Sequence, residues 1–167
     1  MKPETVNTEQ FIDFIENNQE KFYRIAFSYL KNRDTALDVI HDSIVKALQK
    51  KHTIQKTEYF KTWFYRILIN ECLVYLRKNN RIIYFDNMSM YTNRHNSQPD
   101  ISEYIDLYQA LDKLPIKLKT VVLLRFFEDM KLEEIAQITG VNLSTVKSRL
   151  YKALKVLKIN MEVEIND

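Results

Sequence analysis

Glycine is nearly absent from this chain, and its scarcity limits the folds that the chain can adopt. The 167 residues include one glycine, Gly140, whereas average usage of about 7% would give about twelve. Folds rich in hairpins need residues that accept a positive φ at their many tight turns. Phosphate-binding loops of the Rossmann and P-loop types need several glycines close together. The sequence therefore excludes these folds and loops, and it predicts an all-α protein whose helices are joined by short polar loops.

Composition sets further bounds on the chemistry of the chain. Its 46% hydrophobic and 28% charged residues are typical of a globular protein. The single cysteine, Cys72, has no partner for an intrachain disulfide, and the three histidines are scattered, so no zinc-ligand spacing or catalytic triad can be recognised. We therefore expect no metal, no cofactor, no small-molecule substrate and no catalytic residue. No stretch has the composition of a signal peptide or a membrane span, and we expect a reducing, cytoplasmic location.

Positive charge is concentrated in two separate segments of the chain. The net charge is +3, but residues 59–98 contain six basic and two acidic side chains, a net +4, and residues 141–158 contain five basic side chains and no acid. Two separated basic segments favour two contacts with one long polyanion such as a nucleic acid. The alternative is that both segments are solvated helix faces without a partner.

Apolar residues in the first half of the chain recur at helical spacing. The pattern covers residues 11–29 and resumes after Asp34, which we predict to cap the N-terminus of the next helix. The predicted buried stripe of that helix is Leu37, Ile40, Ile44, Ala47 and Leu48. The polar residues 49–58 predict a loop, and a third helix is expected from residue 59 to about residue 78.

Residues 81–101 are expected to form a flexible linker between two small helical domains, residues 1–80 and 102–167. The segment contains several asparagines and a proline and has weak periodicity. Large apolar side chains between Tyr84 and Tyr91 are unusual for a free linker. Two interpretations of these side chains stay open: they dock on a neighbouring domain or a partner, or they belong to the linker itself.

The second half of the chain contains a helix-turn-helix pattern. Helices are expected over residues 104–114, which end before a proline, and over residues 118–127. In the motif that follows, Gly140 is expected to end the first helix in the left-handed conformation, and Asn142 is expected to cap the second helix. The predicted buried positions are Leu132, Ile135 and Ile138 in the first helix and Val146, Leu150, Ala153 and Leu157 in the second.

The face of the second motif helix opposite Val146 combines short hydroxyls with cations. It is expected to present Ser144, Thr145, Lys147, Ser148, Arg149, Tyr151, Lys152 and Lys155. The cations of such a face can reach phosphates, while serine, arginine and lysine side chains can reach base edges in a major groove. The alternative is an ordinary helical hairpin with a solvated lysine face. A single glycine at the one required turn favours the DNA-binding interpretation.

Two smaller sets of residues also share helix faces. Trp63, Arg66 and Asn70 combine an aromatic ring, a guanidinium and an amide, which together can stack on an unpaired base and bond its edge. The other interpretation places Trp63 in the core. Asp38 and Asp42 lie one helical turn apart, and this acidic pair either meets basic side chains of a partner or is merely solvated.

Both halves of the chain resemble sigma-70-family factors, and the extracytoplasmic-function (ECF) group fits best. The second half resembles region 4 of that group in its Leu-Pro (114–115), Glu-Ile-Ala (134–136), glycine (140) and Thr-Val-Lys-Ser-Arg-Leu (145–150) motifs. Residues 33–42 resemble the region 2 helix that docks on RNA polymerase, and residues 60–78 resemble the helix that opens and reads the −10 element. The likeness covers about residues 20–80 and 103–158.

The resemblance implies an alternative sigma factor that directs core RNA polymerase to specific promoters and assists melting of the DNA. The implied partners are core RNA polymerase, promoter DNA in duplex and single-stranded form, and an anti-sigma factor where one exists. The expected polymerase contacts are Arg33, Asp38 and Asp42. The expected −10 contacts are His52, Lys56, Lys61, Trp63, Arg66, Asn70, Arg77 and Lys78. The expected −35 contacts are the eight residues of the exposed face of the second motif helix.

Two other functions are compatible with parts of the sequence. A stand-alone helix-turn-helix regulator would explain the second domain but not the face formed by Trp63, Arg66 and Asn70. A helical protein–protein adaptor would have no role on DNA, and an enzyme is the least favoured class. The chain also departs from the family at two positions. Val74 stands where an acid is frequent, and Ser144 replaces a frequent glycine at the start of the second motif helix, which implies a DNA preference of its own.

Overall fold

The computed structural model describes residues 5–85 and 105–166, and these residues form helices and short connections without any strand. The helices are α1 (Thr8–Asn17), α2 (Gln19–Leu30), α3 (Arg33–Lys50), α4 (Phe60–Phe85), α5 (Ile105–Asp112), α6 (Ile116–Val122), α7 (Leu132–Thr139) and α8 (Leu143–Asn166). The predicted all-α class is confirmed. Among the described helices, none is both long enough and apolar enough to cross a bilayer.

The chain divides into two compact units, Met1–Ser97 and Gln98–Asp167. In the first unit α2, α3 and α4 pack on one another, and in the second unit α8 packs against α5, α6 and α7. The predicted domain limits at residues 80 and 102 stay predictions, because most of the predicted linker lies outside the described residues. The same holds for the aromatic side chains of residues 84–91, whose docking was left open.

A cluster of aromatic rings forms the centre of the first unit. Phe64 is fully buried, and the centre of its ring lies 4.7 Å from that of Phe22 and 5.6 Å from that of Phe14. Phe60 lies 4.7 Å from Phe14 and 5.6 Å from Phe11. Rings at these separations attract one another through offset and edge-on contacts beyond the burial of their area. The cluster therefore fixes the start of α4 against α1 and α2.

The N-terminus of α3 is capped by Asn32, and the prediction of Asp34 as the cap is wrong. Lys31 ends α2 in the left-handed conformation with φ of 53°, and the backbone N–H of Thr35 donates to Oδ1 of Asn32 at 3.0 Å. Asp34 lies inside the first turn of the helix. A carboxylate at that position interacts favourably with the positive end of the helix dipole, although it does not make the capping bond.

The buried stripe of α3 is narrower than predicted and consists largely of small side chains. Its buried residues are Ala36, Val39, Ile40, Ser43 and Ala47, while Ile44 is half-buried. Leu37 and Leu48 were expected in the core, but they are 45% and 48% exposed. Alanine and serine at the interface allow α3 to approach α2 and α4 closely, and the Ser43 hydroxyl is satisfied by donating to the Val39 carbonyl at 2.7 Å. The larger leucines are left on the outer side of the helix.

The polar stretch before α4 is shorter than predicted and partly helical. Helix α3 continues to Lys50, and the connection to α4 contains two 3₁₀ turns, Lys51–Thr53 and Thr57–Tyr59. At its other end α4 extends to Phe85, beyond the expected end near residue 78. No proline or glycine occurs between residues 60 and 85, so nothing in the local sequence forces the helix to stop earlier.

The predicted helix over residues 118–127 begins earlier and does not stay α-helical. It starts with α6 at Ile116, directly after Pro115, and changes to a π turn over Leu123–Phe127. After this π turn, Asp129 adopts a positive φ of 49°, and the Met130 N–H donates to the Leu124 carbonyl at 3.1 Å. Nη1 of Arg125 donates to the Met130 carbonyl at 3.0 Å. These bonds lead the chain out of the π turn toward α7.

Candidate functional site

The turn between α7 and α8 has the geometry that the sequence predicts. Gly140 follows the last residue of α7 with φ of 71°, and its N–H donates to the Ala136 carbonyl at 2.9 Å. A Cβ atom at this position would meet nothing within 4 Å. The glycine is therefore required by its left-handed backbone conformation and not by a lack of space.

The N-termini of both motif helices, α7 and α8, are capped by side chains. The N–H of Thr145 donates to Oδ1 of Asn142 at 2.8 Å, which confirms the predicted cap of α8. At the start of α7, the N–H of Lys131 donates to Oε2 of Glu134 at 2.9 Å. The buried side of the motif is formed by Ile135 and Ile138 of α7 and Val146 and Ala153 of α8, whereas Leu132, Leu150 and Leu157 are half-buried. These buried residues turn one side of α8 toward the core of the second unit.

This orientation exposes the face of α8 that is opposite Val146. The exposed residues are Ser144, Lys147, Ser148, Tyr151, Lys152 and Lys155, and Thr145 and Arg149 lie half-buried at the edges. Tyr151 is 71% exposed. The eight residues therefore share one accessible surface, the α8 face. Residues 141–158 contain no acid, so this surface carries positive charge without internal neutralisation.

A second surface, the α4 face, is formed by Trp63, Arg66 and Asn70. Arg66 and Asn70 are exposed, whereas Trp63 is half-buried, with its ring centre 6.0 Å from that of the buried Phe60. Trp63 thus lies at the edge of the core and keeps part of its surface accessible, and its stacking on a base stays a prediction. Phe64, one residue further, points into the core. Ile67 is half-buried.

The remaining basic residues that were predicted for the −10 element lie along α4 and the connection before it. His52, Lys56, Arg77 and Lys78 are exposed, and Lys61 is half-buried. The ammonium of Lys56 lies 3.9 Å from the carboxylate of Glu58, and both side chains are largely exposed. An exposed ion pair of this kind has little strength in water, so Lys56 is available to a phosphate.

A third surface, the α3 surface, is the outer side of α3. Arg33, Asp38 and Asp42 are all exposed there, as the sequence predicts. Exposed apolar side chains lie beside them, since Leu37, Val45 and Leu48 are 45%, 40% and 48% accessible. The combination of a carboxylate pair with exposed leucine and valine is suited to a protein partner that offers basic and apolar groups.

Tyr59 is an exposed aromatic residue outside the predicted sites. It lies in the 3₁₀ turn before α4, is 47% exposed, and has the ammonium of Lys56 5.8 Å from its ring centre. The signal in the sequence was its spacing, because residues 59, 63, 66 and 70 recur at steps of four and three.

No surface of the described residues offers the groups that a metal ion needs, since no three histidine, cysteine or carboxylate side chains come together there. Cys72 is buried inside the first unit. Burial, with a smaller contribution from the nearby Glu71 carboxylate, raises the pKa of its thiol to about 12. The thiol therefore stays protonated at neutral pH, and it is a packing group there.

Two family models match the chain. Sigma-70 region 2 matches residues 14–82, and Sigma-70, region 4 matches residues 104–157. The first match contains the α3 surface and the α4 face, and the second contains α7 and the α8 face. These matches lie in the same order as the two sets of motifs in the sequence.

The sequence similarity extends over most of the length of individual relatives. The chain is 43% identical to the RNA polymerase sigma factor SigV of Bacillus subtilis over 164 residues, which cover 98% of each protein. It is 24% identical to the ECF RNA polymerase sigma factor SigW of the same organism, over 90% of this chain and 88% of that protein. The fold is similar to that of the sigma factor RpoE from Bartonella quintana, solved with the anti-sigma factor NepR, with a TM-score of 0.76, 22% identity and coverage of 93% and 99%. The chain therefore belongs to the extracytoplasmic-function group of the sigma-70 family, whose members direct RNA polymerase to promoters.

Proposed function

We propose that this sigma factor divides promoter recognition between its two units. In this proposal α8 reads the duplex −35 element, and α4 with the connection before it captures unpaired bases of the −10 element. The observation that carries the proposal is the α8 face, an acid-free surface whose orientation is fixed by Gly140 and Asn142. A recognition helix with this exposure can enter a major groove while its lysines reach the flanking phosphates.

Run-off transcription with core RNA polymerase tests this function directly. The protein is expected to confer initiation from its own promoters on a core enzyme that does not initiate there alone. A stand-alone regulator would bind duplex DNA without conferring initiation, and an adaptor would do neither. Specific binding to duplex DNA with no initiation would therefore overturn the proposal.

The first prediction concerns two cations of the α8 face. We expect Arg149→Ala to weaken promoter binding by about 1–3 kcal/mol and to relax base preference at one position, as is typical of a contact to a base edge. Lys152→Ala should weaken binding to all sequences alike and reduce the salt slope by about one, since a phosphate contact releases counterions. Lys117→Ala, an exposed lysine of α6, is the control. Unchanged affinity and salt slope in both variants would contradict docking through this face.

The α4 proposal rests on the arrangement around Trp63. Trp63 is half-buried with its ring centre 6.0 Å from that of Phe60, and the exposed Arg66 and Asn70 follow on the next two turns. Strand opening needs no bond-making chemistry, because stacking and hydrogen bonds to a flipped base offset the cost of unpairing, which is about a few kcal/mol. The protein itself is accordingly proposed to be non-catalytic.

The second prediction is that Trp63→Ala reduces promoter opening by about five- to a hundredfold, the range expected for loss of one stacking partner. Permanganate reactivity of unpaired thymines measures the opening, and circular dichroism together with core-polymerase binding shows whether the variant is folded. Trp63→Phe keeps a ring at the same place and should retain most of the opening. A folded Trp63→Ala variant that opens promoters normally would refute the stacking role.

The α3 surface is proposed to dock on core RNA polymerase. Asp38 and Asp42 would meet basic side chains there, with Arg33 at the start of the same helix, and the exposed Leu37 and Leu48 would be covered by the contact. The exposed leucines support this proposal because their burial against a partner is favourable.

A further partner is proposed from the solved relatives. RpoE was solved with the anti-sigma factor NepR, and CnrH, whose fold is similar to this chain with a TM-score of 0.73 and 18% identity over 94% of this chain and 90% of that one, was solved with the cytosolic domain of CnrY. An anti-sigma factor is accordingly proposed for this chain as well. We place its activity in the cytoplasm, where its polymerase works.

A further inference from the structure

Helix α1 contacts the chain on both sides of the connection between α3 and α4. This connection, residues 51–59, carries two of the basic residues that were predicted for the −10 element. At its start, Nζ of Lys51 donates to Oγ1 of Thr8 at 2.9 Å. Directly after its end, the centre of the Phe60 ring lies 5.6 Å from that of Phe11. The two contact residues of α1 are three positions apart, so they are neighbours on one side of the helix.

The hydrogen bond between Lys51 and Thr8 joins two segments of ordered backbone. Thr8 is the first residue of α1, and a reciprocal pair of bonds fixes that start: the Gln10 N–H donates to Oδ1 of Asn7 at 2.8 Å, and the Asn7 N–H donates to Oε1 of Gln10 at 3.1 Å. Lys51 begins the first 3₁₀ turn, which is closed by a bond from the Ile54 N–H to the Lys51 carbonyl at 3.2 Å. The lysine side chain therefore ties this turn to α1.

Such a tie affects the placement of the turn more than the stability of the protein. A single exposed hydrogen bond contributes little to stability, because water replaces the lost partner. Recognition of a ligand is more demanding, since the contacting side chains must be held to within about 0.5 Å by the packing and hydrogen bonds around them. His52 follows Lys51 directly and is exposed. The bond from Lys51 to α1 thus holds the residue next to a predicted base contact.

Lys51 has two possible roles beside a DNA strand. It lies in a run of basic residues, Lys50, Lys51 and His52, and a lysine in such a run can bind a phosphate directly. The structure favours the other role, in which Lys51 holds the connection in place. Its side chain is half-buried and bonded to Thr8, whereas the neighbouring Lys50 is exposed.

We propose that Thr8 and Lys51 are positioning residues for −10 recognition. Through their hydrogen bond, α1 sets the place of the first 3₁₀ turn and so of His52 against the unpaired strand, while neither Thr8 nor Lys51 contacts DNA. The inference rests on the proposed role of α4 and the connection before it, and it extends that role to α1. Thr8 lies before residue 14, where the match to Sigma-70 region 2 begins.

The test measures base discrimination by holoenzyme, assembled with core polymerase, on single-stranded −10 oligonucleotides that differ at one position at a time. Thr8→Val removes the acceptor at nearly unchanged volume, and Lys51→Met removes the donor. Each should reduce discrimination by about two- to tenfold at one position, the same one that His52→Ala affects, and leave the others unchanged. Thr8→Ser keeps the hydroxyl and should behave like the parent protein. Lys50→Met, which removes a positive charge from the neighbouring exposed residue, is the matched control.

The double variant, Thr8→Val with Lys51→Met, shows whether the two residues act together. It should lose no more discrimination than either single variant, because the same bond is lost in all three. Losses that add would show that the residues act separately and would overturn the inference. A merely structural role is also distinguishable. It would lower the midpoint of denaturant unfolding and weaken binding of every oligonucleotide alike, whereas a positioning role changes the preference at one position.

Two further outcomes separate this inference from the function on which it rests. If Trp63→Ala weakens single-strand binding while Thr8→Val keeps the discrimination of the parent, the inference is wrong and the proposed role of α4 survives. A Lys51→Met variant that then binds all oligonucleotides more weakly, with a salt slope reduced by about one, would identify Lys51 as a phosphate contact. If neither Trp63→Ala nor His52→Ala changes single-strand binding, α4 and the connection do not bind the strand and both proposals fail.

Discussion

A protein that carries both Asp38→Lys and Asp42→Lys is expected to fold normally and to lose its binding of core RNA polymerase. Both side chains are exposed on the outer side of α3, so the stability should change by less than about 0.5 kcal/mol per position. Basic groups of the partner would then face lysines. Like-charge contacts at an interface cost several kcal/mol, and a combined cost of about 4 kcal/mol corresponds to about a thousandfold in Kd.

A pull-down with core polymerase and a duplex-binding assay measure the two halves of this prediction. The double variant should fail to capture core polymerase and should still bind −35 duplex DNA through the second unit. Asp13→Lys with Glu16→Lys is the control, because it makes the same change in net charge on exposed positions of α1. Core binding as tight as that of the parent would place the docking surface elsewhere. An unfolded double variant would show that these carboxylates are structural.

The largest expected effect on stability follows from Phe64→Ala. The ring is fully buried and packs against Phe14 and Phe22, with the centre of the Tyr65 ring 6.4 Å away. Removal of a buried phenylalanine ring costs about 3–5 kcal/mol, since the transfer free energy and the aromatic contacts are lost and a cavity remains. That is a large fraction of the total stability of a small domain, which is about 5–15 kcal/mol.

The intrinsic fluorescence of Trp63 makes this loss measurable for the first unit alone. Trp63 is the single tryptophan of the chain and lies one residue from the substitution. The denaturant concentration at the midpoint of the unfolding transition should fall sharply in Phe64→Ala. It should fall less in Phe64→Leu, because the cavity left by leucine is smaller. Ile12→Ala, in the same unit but exposed, should change stability by no more than about 0.5 kcal/mol. A Phe64→Ala midpoint equal to that of Ile12→Ala would contradict the aromatic core.

The helix-turn-helix was predictable because its decisive signals are local. Gly140 is the one residue of the chain without a Cβ, and the left-handed turn lies where that freedom is used. Asn142 caps α8 two residues later through a bond within one turn of backbone. Backbone conformation and capping at such positions depend on neighbours in sequence, so the turn and the start of α8 could be predicted from the sequence alone.

The packing of α3 was harder to predict, because two stripes compete on one helix. Leu37 and Leu48 are more hydrophobic than Ala36 and Ser43, and hydrophobicity alone favours the leucines as the buried side. The packing of α2 and α4 against α3 decides which stripe is buried, because the small residues fit better into the narrow space between the helices. The cap was ambiguous for a similar reason, since asparagine and aspartate are both good caps and lie two residues apart.

The exposure of Tyr59 depended on the position of α1, which the sequence does not reveal. Phe11 and Phe14 fill the space over Phe60 and Phe64, so the neighbouring tyrosine is left outside. A run of two adjacent aromatic residues gives no indication of which one is buried. The spacing of residue 59 ahead of residues 63, 66 and 70 can be read in the sequence, but its exposure follows only from the packing of the core.

The π turn at Leu123–Phe127 has a consequence for how sequences of this group are aligned. A π turn accommodates one residue more than the α-helix that it interrupts, and each residue of an α-helix advances the chain by about 100°. In a relative with a regular helix here, the residues equivalent to Leu118, Val121 and Val122 would keep their orientation relative to α7 only if one residue were missing before α7. An alignment that omits this gap would pair each residue of α6 with the neighbour of its true equivalent, which is a rotation of about 100° around the helix axis.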